Sequence, residues 1–277
     1  MAINDRRLEV TEFDFDEVKT NLKTFLKAQN QFTDYDFEGS GMNILLDVLA
    51  YNTHYLGFNA NMLANEMFLD SSSLRSSIVS HAKTLGYTPT SARASKAVVD
   101  VTLNTNSSSL TMPAGTVFNT AVDGVSYNFS TITDVTKSNT GNSIPFTNID
   151  IYEGTFITTR YSVDSSDIDQ RFLLTDNRAD TTTLTVKVQT SSSDSTTTTY
   201  TKATDITQLT ASSNVYFLQE VEAGVFEIYF GDGIIGSALS DGNIIILTYV
   251  VSNKSLANGA ALFDNAATIA AVSDISV

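Results

Sequence analysis

The chain has 277 residues, enough for two or three domains, and a hydrophobic fraction of 42%, enough for a sizeable core. A net charge of -15 argues against nucleic-acid binding, which needs a basic footprint, and the absence of cysteine excludes disulfides and thiolate metal sites. The start, MAINDRRLEV, lacks the apolar core of a signal peptide, and no run approaches the roughly 18 apolar residues of a membrane span. A soluble protein made in the cytoplasm is expected.

The pattern divides near residue 95, giving an expected helical interaction domain over 1–95 and a β-rich domain over 96–277. The β-rich part holds 19 of the 31 acidic side chains but only 8 of the 16 basic ones. That excess suits the solubility of a Ser/Thr-rich surface.

A first helix is expected from about Phe15 to Gln29, with Asp14 and Glu17 at capping-box spacing. Phe15, Val18, Leu22, Phe25 and Leu26 form one apolar stripe, and Lys19, Lys23 and Lys27 lie away from it. A second helix follows Ser40 as N-cap and runs to about Phe68. One of its rows is Ile44, Val48, Tyr51, Tyr55, Phe58 and Met62. The adjacent row is Leu45, Leu49, Asn52, Leu56, Asn59 and Leu63. The remaining face carries Ala50, Gly57, Asn61 and Ala64. Between Gly39 and Leu74, apart from His54 and the tyrosines, only Asp47, Glu66 and Asp70 can ionise. An apolar stripe this wide is more than one neighbour needs, so other subunits are expected to cover it. Asn52 and Asn59 lie inside it, where amides either fix helix register or simply face solvent. A third helix over about Ser72–Leu85 turns Leu74, Ile78, Val79, Ala82 and Leu85 inward, with Gly86 and Pro89 as stop signals.

From Lys96 onward the period is two. Strands are expected over 96–104, after the Pro-Ala-Gly turn at 113–115, and on both sides of a hairpin at Asp123-Gly124. A further hairpin pairs 181–188 with 196–200 around an exposed tip at 191–194. Val215–Leu218, Val225–Phe230 and Asn243–Val251 complete the set. The fold class expected is α+β: about three helices, then a mainly antiparallel, β-sandwich-like domain with an inserted subdomain near 160–215.

Catalytic chemistry finds little support. His54 and His81 are the only histidines, neither in an HExxH spacing, and there is no GxSxG. GDGIIG at 231–236 fits GxGxxG superficially, but no helix is expected to follow it. Asp232 and Asp241 would serve as a carboxylate pair or as Ca²⁺ ligands in one reading. In the other, Gly231, Asp232, Gly233, Gly236 and Gly242 are turn residues. No cofactor and no metal is expected.

Several blocks carry a family resemblance. Leu45-Leu46-Asp47 with Ala50-Tyr51 is followed by Asn61, Glu66, Phe68 and Leu69. Leu74-Arg75 and a closing Leu85-Gly86-Tyr87 with Pro89 come next. A PxGTxF element spans Pro113–Phe118, and FGDGIIG opens the last block, 229–253. In this order they resemble the gene-product-six type of baseplate wedge proteins of T-even-like contractile-tailed phages, within the wider baseplate-J-like group. The match is weak over 137–225. Wedge proteins of that type are longer, so the chain is expected to be a short relative or an N-terminal portion.

The resemblance implies a structural, non-enzymatic role in the virion tail baseplate. Two copies would join with other wedge proteins around the hub, through a bundle of N-terminal helices, and the ring would rearrange on contraction. Indirect partners would be the hub, tube and sheath. The bundle residues would be those of the first-helix stripe and, Phe58 apart, those of the two second-helix rows. Gly39, Gly41, Gly86 and Pro89 are the hinge candidates. The alternative is a carbohydrate- or surface-binding β module.

Overall fold

A computed structural model describes residues 14–29, 31, 35–36, 38–167, 169–265 and 268–277. The MAINDRRLEV start lies outside them. The chain forms two compact units, Met1–Tyr87 and Thr88–Val277. Three helices precede a mostly antiparallel β-rich unit, an α+β fold.

The helical unit holds α1 (Phe15–Lys27), α2 (Gly41–Glu66) and α3 (Arg75–Thr84). Ser40 caps α2: its hydroxyl accepts from the Asn43 N–H at 3.0 Å. Asp14 stands at the N-cap of α1, but its side chain makes no capping bond. The expected capping box is therefore not formed, and the first bond of α1 is the helical one from Val18 N–H to the Asp14 carbonyl. The start of α3 has no cap of its own either. The Glu66 carboxylate reaches across the turn from the end of α2. It accepts from Ser73 N–H (2.8 Å), Ser73 Oγ (2.7 Å) and Leu74 N–H (3.2 Å). These bonds, with the Ser73 hydroxyl foremost, hold its pKa down at about 2.

Gly86 ends α3 by stereochemistry. Its φ of +74° lets its N–H reach the Lys83 carbonyl at 2.9 Å while Tyr87 N–H reaches Ala82 at 3.0 Å. This is the paired-bond stop that glycine favours. The inward face of α3 is narrower than its periodicity suggests. Val79 and Ala82 are buried, but Leu74, Ile78 and Leu85 are exposed. A ten-residue helix has room for only one short buried row.

In the β unit, β1 (Lys96–Asn104), β3 (Val117–Val122), β4 (Val125–Thr131), β6 (Ser143–Glu153) and β14 (Ile275–Ser276) form one sheet, ordered β14-β1-β6-β4-β3. The short pair β2 (Ser109–Met112) and β5 (Val135–Ser138) lies beside it in sequence. A second sheet runs β7-β13-β9-β10-β11-β12-β8. Its strands are β7 (Thr155–Ser162), β8 (Phe172–Leu174), β9 (Ala179–Gln189), β10 (Thr197–Lys202), β11 (Val215–Glu222), β12 (Val225–Phe230) and β13 (Ile244–Val251). Pairing is antiparallel except between β10 and β11.

Each sheet closes over its own core. Leu103, Phe118, Phe129, Phe146 and Ile151 of the first pack with Ala257 and Ile269 from the C-terminal segment. All seven strands of the second contribute to one cluster around Phe172, Val186, Phe226, Leu247 and Tyr249. Its edge strands meet, since the Tyr161 hydroxyl donates to the Leu173 carbonyl at 2.7 Å and the Tyr161 and Phe172 rings lie 5.5 Å apart. The sheet is therefore rolled.

The chain leaves the first sheet at Glu153-Gly154 and returns at Ser252-Asn253. Glu153, only 1% exposed, accepts from the Asn253 N–H (2.9 Å) and Nδ2 (2.8 Å) and so clasps both crossings. Period-two reading gives no strand between β4 and β9, because β6 does not alternate cleanly. It carries a proline, and a bulge at Asn148 (φ +55°) turns Phe146 and Ile149 to the same face. Asp100 fixes the bulge by accepting from Asn148 N–H at 2.7 Å.

Candidate partner interface

At 100° per residue, α2 has three faces. The first holds Asn43, Leu46, Ala50 and Gly57, and these are its buried residues. The small side chains allow close approach, and α1 lies along α2, tied by the Lys19–Asp47 ion pair, while Lys23 pairs at 3.5 Å with Asp36 in the segment that precedes α2. Lys19 thus flanks the contact between the helices. Phe15, Val18, Leu22 and Leu26 of α1 are half-buried, whereas Phe25 is 63% exposed.

The other two faces are open. Ile44, Val48, Tyr51, Tyr55, Phe58 and Met62 occupy one; Leu45, Leu49, Asn52, Leu56, Asn59 and Leu63 occupy the other. Their large apolar members are between 41% and 69% exposed. Both asparagines are exposed too, and among the described residues neither side chain makes a hydrogen bond. Tyr51 and Tyr55 tilt against each other at 5.9 Å, one turn apart. The open surface continues past the helix through Met67, Phe68 and Leu69. Phe58 and these three extend the residues expected from the sequence. Phe58 is in phase with its row, while the other three lie in a turn, where helical periodicity gives no signal.

The hinge candidates fall at helix ends. Gly41 opens α2 and Gly86 closes α3, and a Cβ added to either meets nothing within 4 Å. Pro89 is partly buried just beyond.

The FGDGIIG block is a rigid turn. Asp232 Oδ1 accepts from Ile234 N–H and Ile235 N–H, both at 2.9 Å, and these bonds lower its pKa, Ile235 foremost. A Cβ on Gly231 would stand 2.4 Å from the Gly236 carbonyl carbon, and Gly233, Gly236 and Gly242 all have φ near +80°. Asp241 accepts from Ser165 N–H at 3.1 Å. Both carboxylates are thus engaged with backbone, as turn residues are. A strand, β13, follows the block. Among the described residues no group of three or more His, Asp or Glu is placed to hold a metal ion, and no helix is long and apolar enough to cross a membrane.

Comparison with known proteins agrees with this picture. A family described as "Baseplate wedge protein gp6-like, helical domain" matches residues 14–87, the span of the helical unit. The chain is 30% identical to the baseplate wedge protein gp6 of Enterobacteria phage T4 over 283 residues, covering 95% of this chain. It spans 42% of the length of that relative. The helical unit thus belongs to the gp6-like baseplate wedge family, and the rest of the chain, through both β-sheets, is similar to the T4 protein of that type.

Proposed function

We propose that the protein is a structural, non-catalytic subunit of a contractile-tail baseplate wedge in the virion. In this reading its helical unit assembles with a second copy of itself and with other wedge proteins, around the hub and next to tube and sheath. The observation that carries the reading is the open surface of α2. Ten large apolar side chains from Ile44 to Leu63 are exposed. They present on the order of 1,000 Å² per chain, against about 800 Å² per partner in a stable interface of standard size. A monomer would not keep a patch of that extent in water.

Sedimentation of the isolated chain tests this directly. Self-association at micromolar concentration is expected, and a compact monomer would count against the reading. Rearrangement on contraction is assigned to Gly39–Gly41 and Gly86–Pro89. What supports the assignment is the open space around Gly41 and Gly86, which leaves their backbone free of side-chain obstruction. Unchanged dihedrals at both segments before and after contraction would remove it.

A further inference from the structure

The two open rows of α2 differ in a way that distinguishes their partners. Leu45, Leu49, Asn52, Leu56, Asn59 and Leu63 repeat at intervals of four and three, the a/d seam of a coiled coil. Leucine fills every a position (Leu49, Leu56, Leu63), while the d positions are Leu45, Asn52 and Asn59. The other row has the same spacing but carries Tyr51, Tyr55 and Phe58 through its centre, rings too bulky to face their own counterparts at successive layers of a two-stranded seam.

Taking as given that a second copy covers the helical unit, we propose that the α2 helices of two copies pair parallel and in register along this seam, with Asn52 and Asn59 as the residues that select the register.

The amides set the geometry. In a parallel, in-register pair each d position, like each a position, faces its own counterpart, so Asn52 meets Asn52 and Asn59 meets Asn59. Each amide has donors and an acceptor, so each pair satisfies itself across the seam. In an antiparallel pair a positions face d positions, and four amides would be buried against leucine. In a parallel pair slipped by one heptad, Asn52 meets Leu45 and one amide on each chain goes unpaired. A buried polar group without a partner keeps the full cost of leaving water, so both alternatives are disfavoured. Nothing in the six seam positions ionises, so charge does not compete with this selection.

The seam is available: Leu45 is 58% exposed, Leu49 52%, Leu56 60% and Leu63 69%. It lies on a different face from the row that α1 covers. Pairing therefore leaves the α1–α2 contact intact and the tyrosine-rich row free.

The native chain has no cysteine, which makes the test clean. Full-length Asn52→Cys and Asn59→Cys variants are oxidised separately and as a mixture. Phe58→Cys, on the other row, serves as a control. Self-linked 52–52 and 59–59 dimers are expected to exceed mixed 52–59 dimers by at least about tenfold, because disulfides need Cα atoms within about 7 Å. The Phe58→Cys chain is expected to stay largely unlinked. Dominant 52–59 linkage would overturn the parallel register. A dimer by sedimentation that links at neither position would overturn the seam. A monomer by sedimentation would instead remove the second-copy reading on which the proposal rests. The Asn52→Leu/Asn59→Leu chain adds a readout independent of cysteine: it should still associate, but as a mixture of states, and one unchanged dimer would show that the amides select nothing.

Discussion

Glu66 shows how much one side chain organises. Its carboxylate supplies the cap that α3 lacks, and the Glu66 carbonyl lies 3.0 Å from His81 Nε2, so one residue fixes both sides of the α2–α3 corner. Its pKa of about 2, against an ordinary 4.5, sets the sign of the pH dependence. A lowered folded-state pKa contributes stability that is whole above about pH 4.5 and disappears as pH falls toward 2. Helix content of the wild-type chain should fall over that window, and the Glu66→Gln chain should start lower and show less of the change, as followed by circular dichroism. Glycines give a second residue-scale contrast. A Cβ on Gly154 (φ +127°) would stand 2.2 Å from the Val251 carbonyl oxygen, whereas one on Gly242 (φ +76°) meets nothing within 4 Å. Gly242→Ala should cost about 1 kcal/mol for the left-handed backbone alone. Gly154→Ala adds an overpacking cost of about 1–3 kcal/mol. Denaturant midpoints of the two variants measure the difference. These roles were only partly legible beforehand. Gly86 and Ser40 carry local signals that a sequence displays, whereas the Glu66 cap depends on a turn folding back across seven residues.

Among the elements, α2 separates what holds the chain together from what the chain offers to others. Leu46, Ala50 and Asp47 of the Leu-Leu-Asp…Ala-Tyr block serve the contact with α1, while Leu45 and Tyr51 of the same block stand open. Substitution should separate the two roles. Leu49→Asp and Leu56→Asp alter side chains exposed to solvent, so each should change the stability of the free chain by no more than about 0.5 kcal/mol. In the assembled wedge the same charge would be buried without a partner, and association should weaken at least tenfold. Leu46→Asp should do the reverse: at 4% exposure it should open the α1–α2 contact at a cost of about 3 kcal/mol or more. Thermal melts and co-sedimentation with wedge partners read the two effects separately. The excess of apolar surface on α2 was visible in the sequence because charge is absent from it. Which face turns inward was not, because the buried row is the least hydrophobic of the three. Small residues win that place by permitting close helix approach, an effect of shape that a hydrophobic pattern does not record. The strands show the same limit. Clean alternation marked β1, and the Asp-Gly turn marked the β3–β4 hairpin, but β6 went unseen because its bulge shifts the period midway.

Across the whole molecule, the path of the chain through its two sheets has a further consequence. Thr155 and Val251, the first and last residues of the rolled sheet, are directly paired neighbours. The clasp residues Glu153 and Asn253 both lie outside that span, on the side of the first sheet. The 155–251 segment is therefore topologically a passenger: it departs and rejoins at one point, and its host keeps its own core and its own fastening. Replacing 155–251 by a two-residue turn should leave the first sheet folded, as seen by amide exchange protection at Val101, Leu103 and Ile151. Loss of that protection would mean that the two cores depend on each other. A passenger of this kind is free to be enlarged, shortened or exchanged while the frame that carries it stays the same.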